Sequence, residues 1–182
     1  MRTDEPTQPI YAHDTMEFTT VAVQFCGYLE SQEARDKREF IDTILKMLPL
    51  MYLKAQMLPR VESEGDFLPA DQVTESDYEW VKNNVYSVMA ADDEFLDIAP
   101  DDATRTDETQ WRSVSELLAD VYQPVRNFLA VYQNGVETCM FDALWALSDN
   151  FEQYWGQALV DAMRQLHKVR YSMSNNDDDD EY

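Results

Sequence analysis

The sequence is poor in glycine. Only four glycines occur in 182 residues, and they are not clustered. Turn-rich β proteins use many glycines, because glycine adopts positive φ at little cost, whereas glycine weakens the interior of a helix. The shortage therefore favours long helices joined by polar loops. The sequence also contains no phosphate-binding loop motif.

Basic residues are scarce as well. Fourteen lysines and arginines face 36 aspartates and glutamates, which gives a formal net charge of −22. Proteins that bind nucleic acids or anionic membranes directly need clustered basic side chains to displace counterions. We therefore expect no direct binding to nucleic acid or membranes. Basic proteins and cations remain possible partners, and high solubility is the simplest consequence of the charge.

Cysteine and histidine are nearly missing. Cys26 and Cys139 are the only cysteines, and two isolated thiols make no disulfide framework in a chain of this length. Neither His13 nor His167 follows a glutamate by three residues, so the Glu-x-x-His pairs of di-iron bundles are missing. We predict no metal site, no cofactor and no catalytic residues, and we favour a protein that is not an enzyme.

Targeting and membrane segments are not predicted either. The first six residues have no apolar run behind a basic segment, so they do not form a signal peptide. The most apolar stretch, 44–53, contains Lys46 and Pro49 and is far shorter than the roughly 20 residues of a membrane span. We expect a cytoplasmic protein.

Helical periodicity is the main feature that the sequence does contain. Apolar residues recur at spacings of three and four in five segments, which cover about 15–31, 33–58, 74–90, 113–133 and 137–171. Pro49 and Pro124 interrupt two segments without changing the apolar phase, which predicts kinks rather than breaks. Five amphipathic helices must pack together, so we predict an all-α, single-domain bundle with two proline-kinked helices over residues 13–172.

Local signals predict several helix ends. Asp14 with Glu17 and Ser113 with Glu116 have the spacing of capping boxes. Thr74 or Ser76 can cap the third helix. A glycine at position 135 is placed to end the fourth helix.

Three segments outside the helices are predicted to lack regular structure. Residues 1–12 contain two prolines and form a loose N-terminal lead-in, and residues 173–182 form a disordered acidic C-terminal tail. Residues 92–108 carry eight carboxylates against one arginine. Their spacing does not match a helix–loop–helix calcium site, so we predict a solvated acidic loop.

Glu152 is the most unusual residue of the fifth segment. On a helical wheel it falls within the apolar stripe, and a buried carboxylate is costly unless it is paired or neutral. It could be bonded to a tyrosine, an arginine or the backbone, or it could bind a ligand or a proton. Trp155, Trp145 and His167 complete this candidate ligand site. Aromatic core packing explains the tryptophans with fewer assumptions and is favoured, and a boundary position satisfied by a neighbouring group is the default interpretation of the histidine.

Three stretches together resemble a known family. They begin FTTVA at Phe18, SELLADVY at Ser115 and DALW at Asp142, the last continuing through NFEQYWGQ from Asn150. They resemble the bacterial helical family catalogued as domain of unknown function 5063, and the tryptophan–glycine segment is the most specific part. The resemblance implies a helical fold and, because the family has no established activity, no site.

The leading hypothesis is a non-enzymatic helical adaptor or regulator that binds another protein through a helix groove. One alternative is a bundle that binds a small molecule or a metal in a pocket near Glu152 and Trp155. Another is an acidic mimic of nucleic acid that binds a basic protein. A mimic would carry its charges on one face of the bundle.

Overall fold

The computed structural model describes residues 8–63, 71–98 and 109–177, without the side chains of residues 98 and 174–177. The described chain forms an α-helical bundle with one two-stranded hairpin, so the predicted all-α, single-domain fold is confirmed. The elements are α1 (His13–Glu30), α2 (Lys37–Gln56), α3 (Glu75–Met89), β1 (Glu94–Ile98), β2 (Thr109–Ser113), α4 (Val114–Asn134), α5 (Glu137–Asn150) and α6 (Gly156–Asp177).

The centre of the bundle is α4. It packs against α1, α3, α5 and α6, while α2 contacts α1 and α6. Buried Phe18 of α1 lies edge-on to Phe128 of α4, with ring centroids 5.9 Å apart, and 6.4 Å from the ring of Trp155. Cys26 is also buried, and burial raises the pKa of its thiol, which makes it a packed structural residue.

Two helices contain an internal proline, as predicted. α2 continues through Pro49 and α4 through Pro124. Buried residues lie on both sides of each proline, including Leu48 and Met51 in α2. The apolar contacts on either side therefore keep the helix in register although one backbone hydrogen bond is lost.

The fifth predicted helix is a continuous helical rod made of α5, a π-helical turn (Phe151–Trp155) and α6. The wider turn lets the indole Nε1 of Trp155 donate to the carbonyl of Leu147 at 3.0 Å. Gly156 follows this turn, and a Cβ atom there would lie 2.6 Å from the carbonyl oxygen of Phe151. The sequence Trp155-Gly156 thus combines a buried ring with the close approach that only glycine permits.

Most predicted caps are confirmed. Thr74 and Asp77 form a capping box on α3. Ser113 caps α4, since its hydroxyl accepts from the Glu116 N–H at 3.2 Å, but the predicted capping box is incomplete because the Glu116 carboxylate bonds to Lys82 instead. Gly135 ends α4 in the left-handed conformation with φ 71°. The second helix starts later than predicted, because the Asp36 side chain caps it at Lys37.

The N-terminal prediction is wrong within the described residues. α1 begins at His13 without a side-chain cap, so the predicted role of Asp14 as a cap is wrong. The preceding turn, Pro9–Tyr11, is packed rather than loose, because the side chain of Ile10 is fully buried. The Tyr132 hydroxyl also donates to the Ile10 carbonyl at 2.7 Å. Residues 1–7 lie outside the described residues.

The prediction of a solvated loop over 92–108 is wrong where the structure describes it. Residues 94–98 form β1, which pairs antiparallel with β2, and Asp93 is only 1% exposed. Residues 99–108 lie outside the described residues. α6 runs to Asp177, beyond the predicted helix end, and the remainder of the predicted tail, 178–182, is also outside them. None of the described helices is long and apolar enough to cross a membrane.

We predict that Gly156→Ala lowers the free energy of unfolding by about 1–3 kcal/mol, because its methyl group would meet the Phe151 carbonyl. Gly27→Ala is the matched control: it lies within α1 with no atom within 4 Å of its Cβ position, and should stabilise by about 0.5–1 kcal/mol. Urea denaturation measures both. Equal shifts for the two variants would contradict the assigned contact.

Candidate protein-binding face

The hairpin presents different chemistry on its two sides. Leu96 is paired directly with Trp111, and Phe95 with Arg112. Directly opposite residues lie on the same side of an antiparallel pair, and consecutive residues lie on opposite sides. Phe95 is buried against the bundle, whereas Leu96 is 56% and Trp111 is 69% exposed. The outer side of the hairpin is therefore an apolar pair facing solvent.

The inner side is held to α6 by a network of four charges. Arg112 Nη1 lies 3.2 Å from Asp97 Oδ2 and 2.7 Å from Asp161 Oδ2, and Arg164 Nη2 lies 2.7 Å from Asp97 Oδ1. Asp97 and Asp161 are largely buried, so water screens these pairs less than it screens exposed ones. The network fixes the position of the hairpin on the bundle.

The base of the hairpin is held by Asp93. Its carboxylate accepts from the Ser115 N–H at 2.8 Å and from the Ser115 hydroxyl at 2.7 Å, and its carbonyl accepts from the Val114 N–H at 2.9 Å. Burial raises the pKa of Asp93, and the bonds from Ser115 partly oppose this. Asp93 thus caps α4 and ties the start of β1 to the end of β2.

A cavity of about 340 Å³ opens beside Trp111. Tyr86 of α3, which is 52% exposed, lines it together with Glu94, Lys82 and Glu116. We call Tyr86, Glu94, Leu96 and Trp111 the hairpin face. Three of its four side chains are large and apolar or aromatic, and the fourth is a carboxylate.

A polar cluster lies on the neighbouring helices. The Tyr78 hydroxyl donates to Asp120 at 2.8 Å, and Tyr154 of the π turn bonds to the same carboxylate. Burial first, and then the bond to Asp120, raise the pKa of Tyr154 to about 12. Both tyrosines are therefore neutral donors at pH 7. The two hydroxyls therefore converge on one carboxylate as hydrogen-bond donors.

The comparisons with known proteins agree with this fold. The family model described as domain of unknown function (DUF5063) matches residues 9–172. The chain belongs to this family. A crystal structure of protein BF1032 from Bacteroides fragilis, a structural genomics target, is similar to this DUF5063 chain, with a TM-score of 0.81 and 42% identity. The match covers 91% of this chain and 97% of that one. No curated protein matches.

The structure separates the four predicted ligand-site residues of this DUF5063 chain. Glu152 is exposed, so its predicted burial is wrong, whereas Trp155 is fully buried and Trp145 is half-buried. His167 is exposed, with its ring 4.5 Å from that of Tyr171. It lies twelve residues beyond Trp155, or roughly 18 Å along a helix. Ligand binding by these residues stays a prediction, without the buried carboxylate that motivated it.

One group of potential metal ligands occurs among the described residues. Side-chain ligand atoms of His13, Asp14 and Glu17 lie within 4.8 Å of one another, and all three are partly exposed. Glu17 already accepts from Lys54 Nζ at 2.5 Å, which lowers the pKa of Glu17. The lysine neutralises the carboxylate that a cation would need, so we assign no metal here.

The hairpin face was missed in the sequence because its strands are short and rich in charge. A strand of five residues alternates between apolar and polar side chains too few times to be recognised, and the eight carboxylates of the neighbouring segment hide the alternation further. A usable signal was the enrichment of aromatic and β-branched residues at Phe95, Ile98, Thr109 and Trp111 on both sides of the acidic segment.

The pKa shifts of two capping aspartates, Asp93 and Asp77, predict opposite pH dependences of stability. The pKa of Asp93 is raised above 3.8, so its contribution to stability is complete below the unfolded pKa and is lost as the pH rises through the folded pKa. The stability of Asp93→Asn relative to wild type should therefore increase as the pH rises from about 3 to 7.

Asp77 is the matched control. The Thr74 hydroxyl and then the Thr74 N–H lower its pKa, so its contribution is present above pH 3.8 and is lost as the pH falls through the folded pKa. The relative stability of Asp77→Asn should decrease as the pH rises. Urea denaturation across the pH range measures both slopes, and slopes of the same sign would refute the assignment.

Ala90 carries a strained backbone at the entrance to the hairpin. It is the non-glycine residue with positive φ in the described chain, with φ 51° and ψ −121°. Such a conformation costs about 1–3 kcal/mol outside glycine, so Ala90→Gly should raise the free energy of unfolding by about 1 kcal/mol or more. Ala91→Gly, its control in the same turn, should not. Thermal or urea denaturation of the two variants checks this, and stabilisation by neither would contradict the strain.

Proposed function

We propose that this protein is a non-enzymatic interaction protein that binds a basic segment of a partner protein at the hairpin face. The observation that carries the proposal is the cross-strand pair of Leu96 and Trp111, which is exposed on a hairpin whose inner side is clamped to the bundle. Tryptophan and tyrosine dominate the binding energy of protein interfaces, and both occur here.

Preorganisation supports the same surface. Binding costs free energy whenever loops and side chains must be ordered on association. The hairpin is already fixed by Asp93 at its base and by Arg112 and Asp97 on its inner side. Trp111 is therefore already positioned before a partner binds, so less of the binding free energy is spent on ordering the hairpin.

Charge complementarity indicates the partner. The net charge of −22 attracts basic proteins over long distances and speeds their association. Among the residues that line the cavity at the hairpin face, the three carboxylates of Asp93, Glu94 and Glu116 outnumber the two basic side chains, Lys82 and Arg112. The proposed partner is accordingly a basic segment, and the cytoplasm stays the expected location of this protein.

The two alternatives receive less support. Exposed or half-buried carboxylates occur on all six helices, for example Asp42, Glu75 and Glu137, and this is not the one-sided clustering of a nucleic-acid mimic. The pocket hypothesis around Glu152 loses its main argument, because that side chain faces solvent. Neither alternative has a specific observation in its favour.

The test compares three forms of the full-length protein. Trp111→Ala should abolish capture of the partner from native lysate at about 0.15 M salt with nuclease, a salt level that screens loose charge contacts. Trp80→Ala is the control, since Trp80 is also exposed, at 44%, but lies in a different cleft with Glu30 and Arg126. Both variants should keep stability within about 0.5 kcal/mol.

The expected result is one near-stoichiometric basic protein captured by wild type and Trp80→Ala and lost with Trp111→Ala. Capture of the same protein by all three forms would reject the hairpin face as the binding surface. Empty captures with every form would reject the interaction function itself.

A further inference from the structure

We propose that the cavity beside Trp111 is a binding site for an arginine side chain of the partner. This inference rests on the proposed function and names the group that the hairpin face recognises. The cavity has about 340 Å³ and is lined by two aromatic side chains, Trp111 and Tyr86, and by the carboxylates of Glu94 and Glu116. Its size suits one long side chain rather than a folded element.

An anion is the first ligand to consider, because the N-terminus of α4 lies at this cavity and helix N-termini attract negative charge. The backbone donors there are already used. The Val114 N–H donates to the Asp93 carbonyl, the Ser115 N–H to the Asp93 carboxylate and the Glu116 N–H to the Ser113 hydroxyl. The protein therefore supplies its own anion, Asp93, and an external one would find its donors occupied.

A cation finds the opposite situation. The carboxylate of Glu94 lines the cavity and has no hydrogen-bond or ion-pair partner among the described residues. The rings of Trp111 and Tyr86 line the same cavity, and the face of an aromatic ring attracts a cation through its quadrupole. The two basic residues of the cavity are already neutralised, because Lys82 pairs with Glu116 at 2.8 Å and Arg112 pairs with Asp161 at 2.7 Å.

Arginine fits these groups better than lysine. A guanidinium is planar, stacks on aromatic rings and donates two parallel hydrogen bonds to a carboxylate, whereas an ammonium is a compact and strongly hydrated charge. The same protein makes such a contact internally, since the guanidinium carbon of Arg35 lies 3.8 Å from the ring centroid of Tyr28. At the cavity, an arginine of the partner would stack in the same way on Trp111 or Tyr86 and would pair with Glu94.

The test uses the full-length protein labelled with 5-fluorotryptophan, which gives one ¹⁹F resonance for each of the four tryptophans. Trp111→Phe assigns the resonance of interest. N-acetylarginine amide should shift the Trp111 resonance in a saturable manner and leave that of Trp80 unchanged. The lysine amide should bind at least about threefold more weakly, and the uncharged citrulline amide should cause no shift.

Variants test the two kinds of contact. Glu94→Gln and Tyr86→Leu should each raise the Kd for the arginine amide by about threefold or more. Glu75→Gln removes an exposed carboxylate at the other end of α3 and should leave affinity unchanged. An equal shift with citrulline, equal affinity for lysine, or an unmoved Trp111 resonance would overturn the proposal.

The two proposals fail in different ways. If Trp111→Ala abolishes capture of the partner but the arginine amide leaves the Trp111 resonance unmoved, the interaction function stands and the arginine site is rejected. In the opposite case the amide shifts the Trp111 resonance but capture does not depend on Trp111. The cavity then binds a guanidinium without taking part in recognition of the partner, and the proposal that it binds an arginine of the partner is rejected.

Discussion

The burial of the Asp93 carboxylate against the first turn of α4 determines where the hairpin leaves the bundle. Asp93 follows the strained turn at Ala90, precedes β1, and bonds through both its carboxylate and its carbonyl to the residues that follow β2. One residue therefore holds both ends of the hairpin. The two donors from Ser115 and the positive end of α4 offset only part of the carboxylate's desolvation, so a costly group is retained where it fixes geometry.

The few basic residues of this chain serve mainly to join elements that are distant in sequence. Lys54 joins α2 to α1, Arg170 joins α6 to α2, and Lys82 joins α3 to α4. Arg112 and Arg164 join the hairpin to α6 in the same way. Partly exposed pairs contribute only about 0.2–1 kcal/mol each. Because 36 carboxylates face only 14 lysines and arginines, most carboxylates stay uncompensated. This excess is the acidic surface on which the proposed basic partner would depend.

The sequence was sufficient for the helices and most of their ends, because each depends on local chemistry. Periodic apolar positions, the Ser113 and Thr74 hydroxyls, and the positive φ of Gly135 can all be recognised without knowing the fold. Glu152 was misplaced because a helical wheel assumes 3.6 residues per turn throughout. The π turn has more residues per turn, so the apolar stripe continues through Phe151 and Trp155 while Glu152 turns to solvent. The aromatic and β-branched residues around the acidic segment could have indicated the two strands, but not the candidate site itself, since the site depends on the pairing of Leu96 with Trp111 across those strands.

The contrast between Trp155 and Trp111 supports a role for the hairpin beyond stability. The bundle buries Trp155 completely and satisfies its indole N–H, which shows that this fold can accommodate a large ring in its core. Trp111 instead stays 69% exposed on a hairpin that is held by Asp93 and Arg112. Single exposed apolar side chains are common on protein surfaces and by themselves indicate nothing. Here, however, Trp111 stands beside Leu96, Tyr86 and the carboxylate of Glu94, which has no ion-pair partner within the part of the chain that the structure describes. The aromatic surface and the negative charge therefore act at one place. That combination is the one that a basic segment with an arginine would recognise.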